Sequence, residues 1–169
     1  MIICLRPQPD CGLDVAELTR QAVQAVALPM LRVSYLSAPQ VLFDSEGQHS
    51  FCQGIIITSK QASRYLAEHA ETSPEMCRLP VWCVGTGSAD ILRQVGFEIA
   101  YTGNGNAADL ADQICQKGAS GPLLWFSGRN VYFDMAAHLN GRGITVNRRV
   151  VYYTEGLLTP YQVVQDHLL

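Results

Sequence analysis

The sequence predicts an α/β protein: a doubly wound parallel sheet in a three-layer sandwich, with helices on both faces. Two observations carry this. Short, nearly unbroken apolar runs recur at Ile55-Ile56-Ile57, Val81-Trp82-Cys83-Val84 and Leu123-Leu124-Trp125-Phe126. Such runs mark strands covered on both faces, as in parallel sheets. Each run is followed by a stretch with apolar residues at helical spacing, and this alternation supplies the crossover helices between parallel strands. Those crossovers are right-handed, which places successive helices on a defined side of the sheet.

The elements follow in order. Ile2-Ile3-Cys4-Leu5 reads as a strand stopped by Arg6-Pro7. Residues 13–27 put Val15, Leu18, Ala22 and Val26 on one helical face and predict a helix over that span. After Pro29, Leu31, Val33 and Tyr35 alternate with Arg32 and Ser34 as in a half-buried strand. Residues 37–53 are polar, carry Pro39 and Gly47, and predict a loop with a helical turn at 41–43. Strand 55–57 then leads into a helix reaching about His69, capped by Ser59, whose hydroxyl can accept a hydrogen bond from a first-turn N–H. Strand 80–84 leads through the glycine turn Gly85-Thr86-Gly87 into a helix over 88–95 that Gly96 ends. A strand at 97–101, a helix at 106–116, a strand at 122–126, a helix at 131–140 and a strand at 144–153 complete the pattern.

Bulk properties exclude several classes. The chain has 169 residues, 48% hydrophobic and 16% charged, which suits a folded core and not a disordered chain. A net charge of −3 leaves no broad basic face for nucleic acid; the one dense cluster, Arg142, Arg148 and Arg149, reads as a solvated strand edge or a local anion site. The six cysteines and four histidines have no metal-ligand spacing, so no metal site is expected. No stretch is long and apolar enough for a membrane span, and the start MIICLRPQPD is not a signal peptide, so the expectation is a reduced, cytoplasmic setting.

Ligands of doubly wound sheets bind at the carboxyl ends of the strands. There stand Arg6, then Thr58-Ser59-Lys60, then Gly85-Thr86-Gly87-Ser88, then Ser127-Gly128-Arg129. The stretch G-T-G-S-A-D has two glycines of a dinucleotide fingerprint, but Asp90 replaces the third and sets a carboxylate near the phosphate position. A nicotinamide oxidoreductase is thereby disfavoured. What remains is a set of hydroxyls, helix starts and a few cations suited to carboxylates: Thr58 and Ser59 as donors, Lys60 as charge, Arg129 as a bidentate partner. Each loop also has a plain structural use as a cap or turn. Tyr152 and Tyr153 lie on the last strand, one facing inward and one outward; such tyrosines pack, or donate a proton when they stand at the ligand edge. A nucleophilic triad and a P-loop are both missing from the motif set.

In order, these segments resemble the uroporphyrinogen-III synthase family. Leu5-Arg6-Pro7 is similar to its opening T-R-P, I-I-I-T-S-K-Q-A at 55–62 to its F-T-S-x-N-A, and V-G-T-G-S-A-D-I-L at 84–92 to its V-G-x-x-T-A-x-x-L. L-L-W-F-S-G-R at 123–129, H-L-N-G-R-G-I-T-V at 138–146 and V-Y-Y-T at 151–154 continue the match. Ser88 stands for the family's threonine and Gln61 for its asparagine.

The resemblance implies a cofactor-free lyase of haem biosynthesis that closes the polycarboxylate hydroxymethylbilane into a ring while inverting its last pyrrole. It implies two similar α/β domains joined by two linkers, with substrate in the cleft between them. On that reading residues 1–30 are a fragment of the first domain, 31–36 a linker, 37–148 the complete second domain, and 149–169 the return linker and the start of a helix. Tyr152 then matches the family's acid, and Arg6, Thr58, Ser59, Lys60, Gly85, Thr86, Gly87, Ser88, Ser127, Gly128 and Arg129 are the substrate-binding candidates. Because the family pattern continues beyond VVQDHLL, the expectation is impaired activity and a possible homo-oligomer through apolar residues 15–26. The partner expected is a small molecule, with no nucleic acid and no membrane. A non-catalytic tetrapyrrole- or anion-binding module is the alternative.

Overall fold

The structure, a computed structural model, describes residues 1–36, 52–72 and 74–157. Its contacts divide the chain into two compact units, Tyr35–Tyr153 and, separately, Met1–Ser34 with the segment from Thr154. The expected turn at 41–43 and the helix expected near the end of the chain lie outside the described residues.

The unit Tyr35–Tyr153 is organised by five parallel strands: β4 (Gly54–Ile57), β5 (Val81–Cys83), β6 (Ile99–Thr102), β7 (Leu123–Gly128) and β8 (Val146–Gly156). They lie in the order β8-β7-β4-β5-β6, and β3 (Leu31–Tyr35) flanks β8. From β4 the chain winds outward through β5 and β6, then returns to the other side of β4 for β7 and β8. Helices α2 (Lys60–Glu68) and α3 (Thr86–Arg93) cover one face, and α4 (Ala107–Gln116) and α5 (Met135–Asn140) the other. This is the doubly wound α/β class read from the apolar runs.

Period-two alternation assigns each strand residue to one face. Ile55 and Ile57 of β4, with Leu124 and Phe126 of β7, join Ala62, Tyr65, Leu66 and Leu92 in one core. Ile56, Leu123 and Trp125 join Leu110, Ile114, Met135 and Leu139 in the other. Every residue of β4, β5 and β7 is buried, which is why their sequences run apolar without polar alternation.

Several boundaries differ from the sequence reading. The helix expected over 13–27 is α1 (Asp10–Arg20), and Ala25–Ala27 is instead β2, parallel to β1 (Ile2–Cys4) with Ile2 opposite Ala25. Ala22 takes a positive φ of 60°, and the N–H groups of Gln21, Ala22 and Val23 close back onto Glu17, Thr19 and Leu18 carbonyls, which ends the helix. Val26 lies instead in the strand that pairs with β1, and Ala22 in the turn before it. Among the described residues before Tyr35, the exposed large apolar side chains are Met1, Ile2, Ile3, Leu5, Leu13 and Leu31. The helix expected over 131–140 begins only at Met135, because the Asp134 carboxylate accepts the Ala137 N–H and fixes the start there. The helix expected over 88–95 begins at Thr86, with Gly85 as its N-cap. The strand expected at 122–126 continues through Ser127 and Gly128.

Burial pushes the Cys83 thiol from 9.0 up to about 12, with Arg93 opposing it slightly. The unfolded chain thus releases this proton near pH 9 and the folded chain only near 12. The stabilisation is complete below the unfolded value and declines as pH rises through that window. Urea unfolding between about pH 8 and 11 should show stability falling more steeply in the wild type than in Cys83→Ala; equal slopes would contradict this. In the same assay Ile57→Ala should cost about 2–5 kcal/mol as a core truncation, whereas Leu13→Ala should stay within about 0.5 kcal/mol.

Candidate functional site

Strand order reverses between β4 and β7, and the crevice outside their carboxyl ends is where a doubly wound sheet takes its ligand. A cleft of about 280 Å³ lies there, lined by Thr58 and Ser59 after β4, Trp125 and Gly128 of β7, the following segment Asn130–Phe133, Ala107 at the start of α4, and Tyr152 of β8.

Its geometry is built from three contacts. Ser59 has extended backbone and caps α2, its Oγ accepting the Ala62 N–H at 3.1 Å. The Tyr152 hydroxyl donates to the same Oγ at 3.0 Å, joining positions 93 residues apart. Trp125 Nε1 donates to Thr58 Oγ1 at 3.1 Å. The Tyr152 ring lies so close over Gly128 that an added Cβ there would stand 2.7–2.9 Å from three ring and hydroxyl atoms, so a larger residue must push the ring aside. Beside it, Tyr35 meets the Tyr152 ring edge-on at 6.5 Å and donates to Gln61 Oε1 at 2.8 Å.

Arg148 braces the floor. Its Nε donates to Ser127 Oγ at 2.9 Å, and one Nη donates to both Gly128 and Arg129 carbonyls at 2.8 Å. Its guanidinium stacks over the Trp125 ring at 5.0 Å. These bonds fall at the shift in β7–β8 register between Ser127 and Gly128, where ladder carbonyls would otherwise lack donors. The basic cluster noted in the sequence therefore separates: Arg148 holds the end of β7, while Arg142 lies 3.8 Å from Asp112 and donates to the His138 carbonyl.

The expected site residues fall into groups. Thr58, Ser59, Gly128 and Tyr152 line the cleft. Ser127 is buried beneath it and spends its hydroxyl on Arg148. Gly85, Thr86, Gly87 and Ser88 do not line it; they form the cap and first turn of α3, with Ser88 buried. Lys60 lies against Gly87, where its Cε would be 2.5 Å from an added Cβ. Arg129 places its guanidinium 4.6 Å over the Tyr153 ring, the outward member of the tyrosine pair. Arg6, in the other unit, is held by Asp14 at 2.7 Å and Asp10 at 3.5 Å.

Sequence reasoning missed Trp125 as a cleft residue, and with it Asn130, Val131, Tyr132 and Phe133. The signal was present: Asp134 followed by an apolar helical pattern marks a helix start, which frees the preceding residues to reach the strand ends. Tyr132 is fully exposed at the rim.

Fold and cleft together define an α/β protein of the doubly wound class with a hydroxyl- and aromatic-lined site at its switch point. The family described as uroporphyrinogen-III synthase HemD matches residues 14–166, and the chain belongs to that family. Solved structures share the fold. The uroporphyrinogen-III synthetase of Helicobacter pylori 26695 is 19% identical, with a TM-score of 0.59, over 86% of this chain and 62% of that one. A mutant uroporphyrinogen III synthase of the extremely thermophilic bacterium Thermus thermophilus is 14% identical, with a TM-score of 0.62, over 92% of this chain and 63% of that one. The chain thus spans less than two thirds of the length of these synthases. No helix among the described residues is long and apolar enough to cross a membrane, and no group of three His, Cys, Asp or Glu among them could hold a metal ion.

The close packing of Tyr152 on Gly128 is testable by a double-mutant cycle. Gly128→Ala should destabilise by about 1–3 kcal/mol through overpacking. In a Tyr152→Ala background, where the ring is gone, the same substitution should cost much less. Equal costs in both backgrounds, read by urea unfolding, would show that the two residues do not press on one another.

Proposed function

We propose that this chain binds hydroxymethylbilane and takes part in its cyclisation, with ring inversion, to uroporphyrinogen III in haem biosynthesis. One observation carries the reading: within a chain that belongs to the synthase family, the T-S-K-Q-A and V-Y-Y-T motifs meet in the Tyr152–Ser59 hydrogen bond at the cleft.

The chemistry needed is consistent with what lines the cleft. Ring closure begins when the substrate's hydroxymethyl group loses its hydroxyl, and a phenol, which keeps its proton at neutral pH, can act as the acid. On this reading Tyr152 is that acid. Thr58 and Ser59 offer hydroxyls to an acceptor-rich polycarboxylate, and Tyr132 and Phe133 give apolar surface for pyrrole rings. The remaining work is positioning a flexible chain so that its two ends meet, which is worth many orders of magnitude when geometry is correct. Lys60, Arg129, Arg6 and the α3 start at Gly85–Ser88 would act at longer range, on carboxylates outside the cleft. Residues 37–148 are proposed as the complete domain, 1–30 as a fragment of the other, 31–36 as a linker, and 149–169 as the return linker and the start of a helix of that other domain. A cytoplasmic location belongs to the same proposal, as does self-association through the exposed apolar residues near the N-terminus.

The test is the ratio of type III to type I uroporphyrinogen formed from hydroxymethylbilane, with the spontaneous reaction as reference. Type III product above that reference supports the reading, and Tyr152→Phe should then lower its rate by about 10²-fold or more. Type I product alone at the spontaneous rate would contradict catalysis. The reduced turnover expected from the sequence is read in the same assay. Saturable binding of the substrate without any type III product would favour the non-catalytic binding module.

A further inference from the structure

We infer that Ser59 is a second catalytic residue: its hydroxyl delivers the proton to the leaving group, and Tyr152 acts through it as the proton's source. This rests on the synthase reading and assigns the contact with the reacting atoms within it.

A serine hydroxyl has two acceptor lone pairs and one hydrogen. At Ser59 both lone pairs are used, by the Ala62 N–H at 3.1 Å and the Tyr152 O–H at 3.0 Å. The hydrogen is the capacity that remains, and among the described residues it has no acceptor. Ser59 lines the cleft, so this hydrogen is offered to what the cleft holds. The direction of the Tyr152–Ser59 bond follows from acidity: a phenol is a stronger donor than an alkyl hydroxyl, and the alkyl oxygen is the better acceptor. The phenol oxygen is held within reach of Ser59, because its ring is seated on Gly128 and flanked by Tyr35.

The step balances. The leaving hydroxyl takes the Ser59 hydrogen while Ser59 Oγ takes the Tyr152 hydrogen. The carbon–oxygen bond breaks with its electron pair going to oxygen, water departs, and the pyrrole nitrogen lone pair relieves the carbon. Tyr152 is then a phenolate facing a cationic ring. The pyrrole N–H proton returns along the same two oxygens, so both side chains are restored and the net change is loss of water.

A purely structural Ser59 would matter only as a helix cap, and substitutions separate the two roles. Ser59→Thr keeps both cap and hydroxyl. Ser59→Gly is nearly as good a cap and has no hydroxyl, and Ser59→Asn caps fully with an amide that has no acidic proton. The full chain and each variant would be assayed for hydroxymethylbilane conversion to type III uroporphyrinogen, with thermal unfolding by circular dichroism run in parallel. The relay predicts that Ser59→Thr retains most of kcat. Ser59→Gly and Ser59→Asn should melt near the wild type yet lose about 10²-fold or more in kcat with KM little changed. Ser59→Gly combined with Tyr152→Phe should be no slower than either alone, since the two act as one unit. In mixtures of H2O and D2O the wild-type kcat should vary along a curved line, as two protons in flight require. Wild-type kcat in folded Ser59→Gly or Ser59→Asn, with type III product still forming, would overturn the relay alone. No type III product from the wild type would overturn the synthase reading and the relay with it.

Discussion

The ligand end of the sheet depends on one close approach, the Tyr152 ring resting on the backbone of Gly128, where an added Cβ would press on the ring at 2.7–2.9 Å. Because the ring sits that low, its hydroxyl reaches across β7 to Ser59 at the end of β4, the next strand but one in the sheet. A larger residue at 128 would lift the ring and break the link between β8 and the start of α2. The glycine is therefore a matter of space; it lies in the strand with no demand for unusual backbone geometry.

That contact needs a firm floor, and Arg148 supplies it. Where β7 and β8 slip in register, a single guanidinium donates to the Gly128 and Arg129 carbonyls and to Ser127 Oγ. Charge-assisted bonds of this kind are shorter and stronger than neutral ones, and here they replace ladder bonds lost at the bulge. The aromatic face of Trp125 covers the same guanidinium, so a cation stands close to the cleft with three of its five N–H donors committed to the end of β7. Local electrostatics at this site thus serve architecture first, and the hydroxyls of Thr58 and Ser59 are the groups presented outward.

The parallel sheet was legible because buried strands such as Ile55-Ile56-Ile57 and Leu123–Phe126 cannot alternate with polar residues when both faces are covered. Ser59 as a cap was legible for an equally local reason, a hydroxyl one residue before a helix. What escaped depended on partners distant in sequence. Ala25–Ala27 has helical spacing, and only the open edge of β1 makes it a strand. Arg148 looked like edge decoration, since its role exists only once the β7–β8 bulge exposes carbonyls. The glycines at 85 and 87 open α3, outside the lining of the cleft, while residues 131–133 were expected in a helix and instead rim the cleft.

Binding of the tetrapyrrole in the crevice between β4 and β7 can be read by titrating the 15N-labelled chain with uroporphyrin I and following amide and indole resonances. Saturable shifts concentrated at Thr58, Ser59, the Trp125 indole N–H, Gly128 to Phe133 and Tyr152 are expected. Shifts centred instead on Gly85 to Ser88, or none at saturating porphyrin, would contradict binding there.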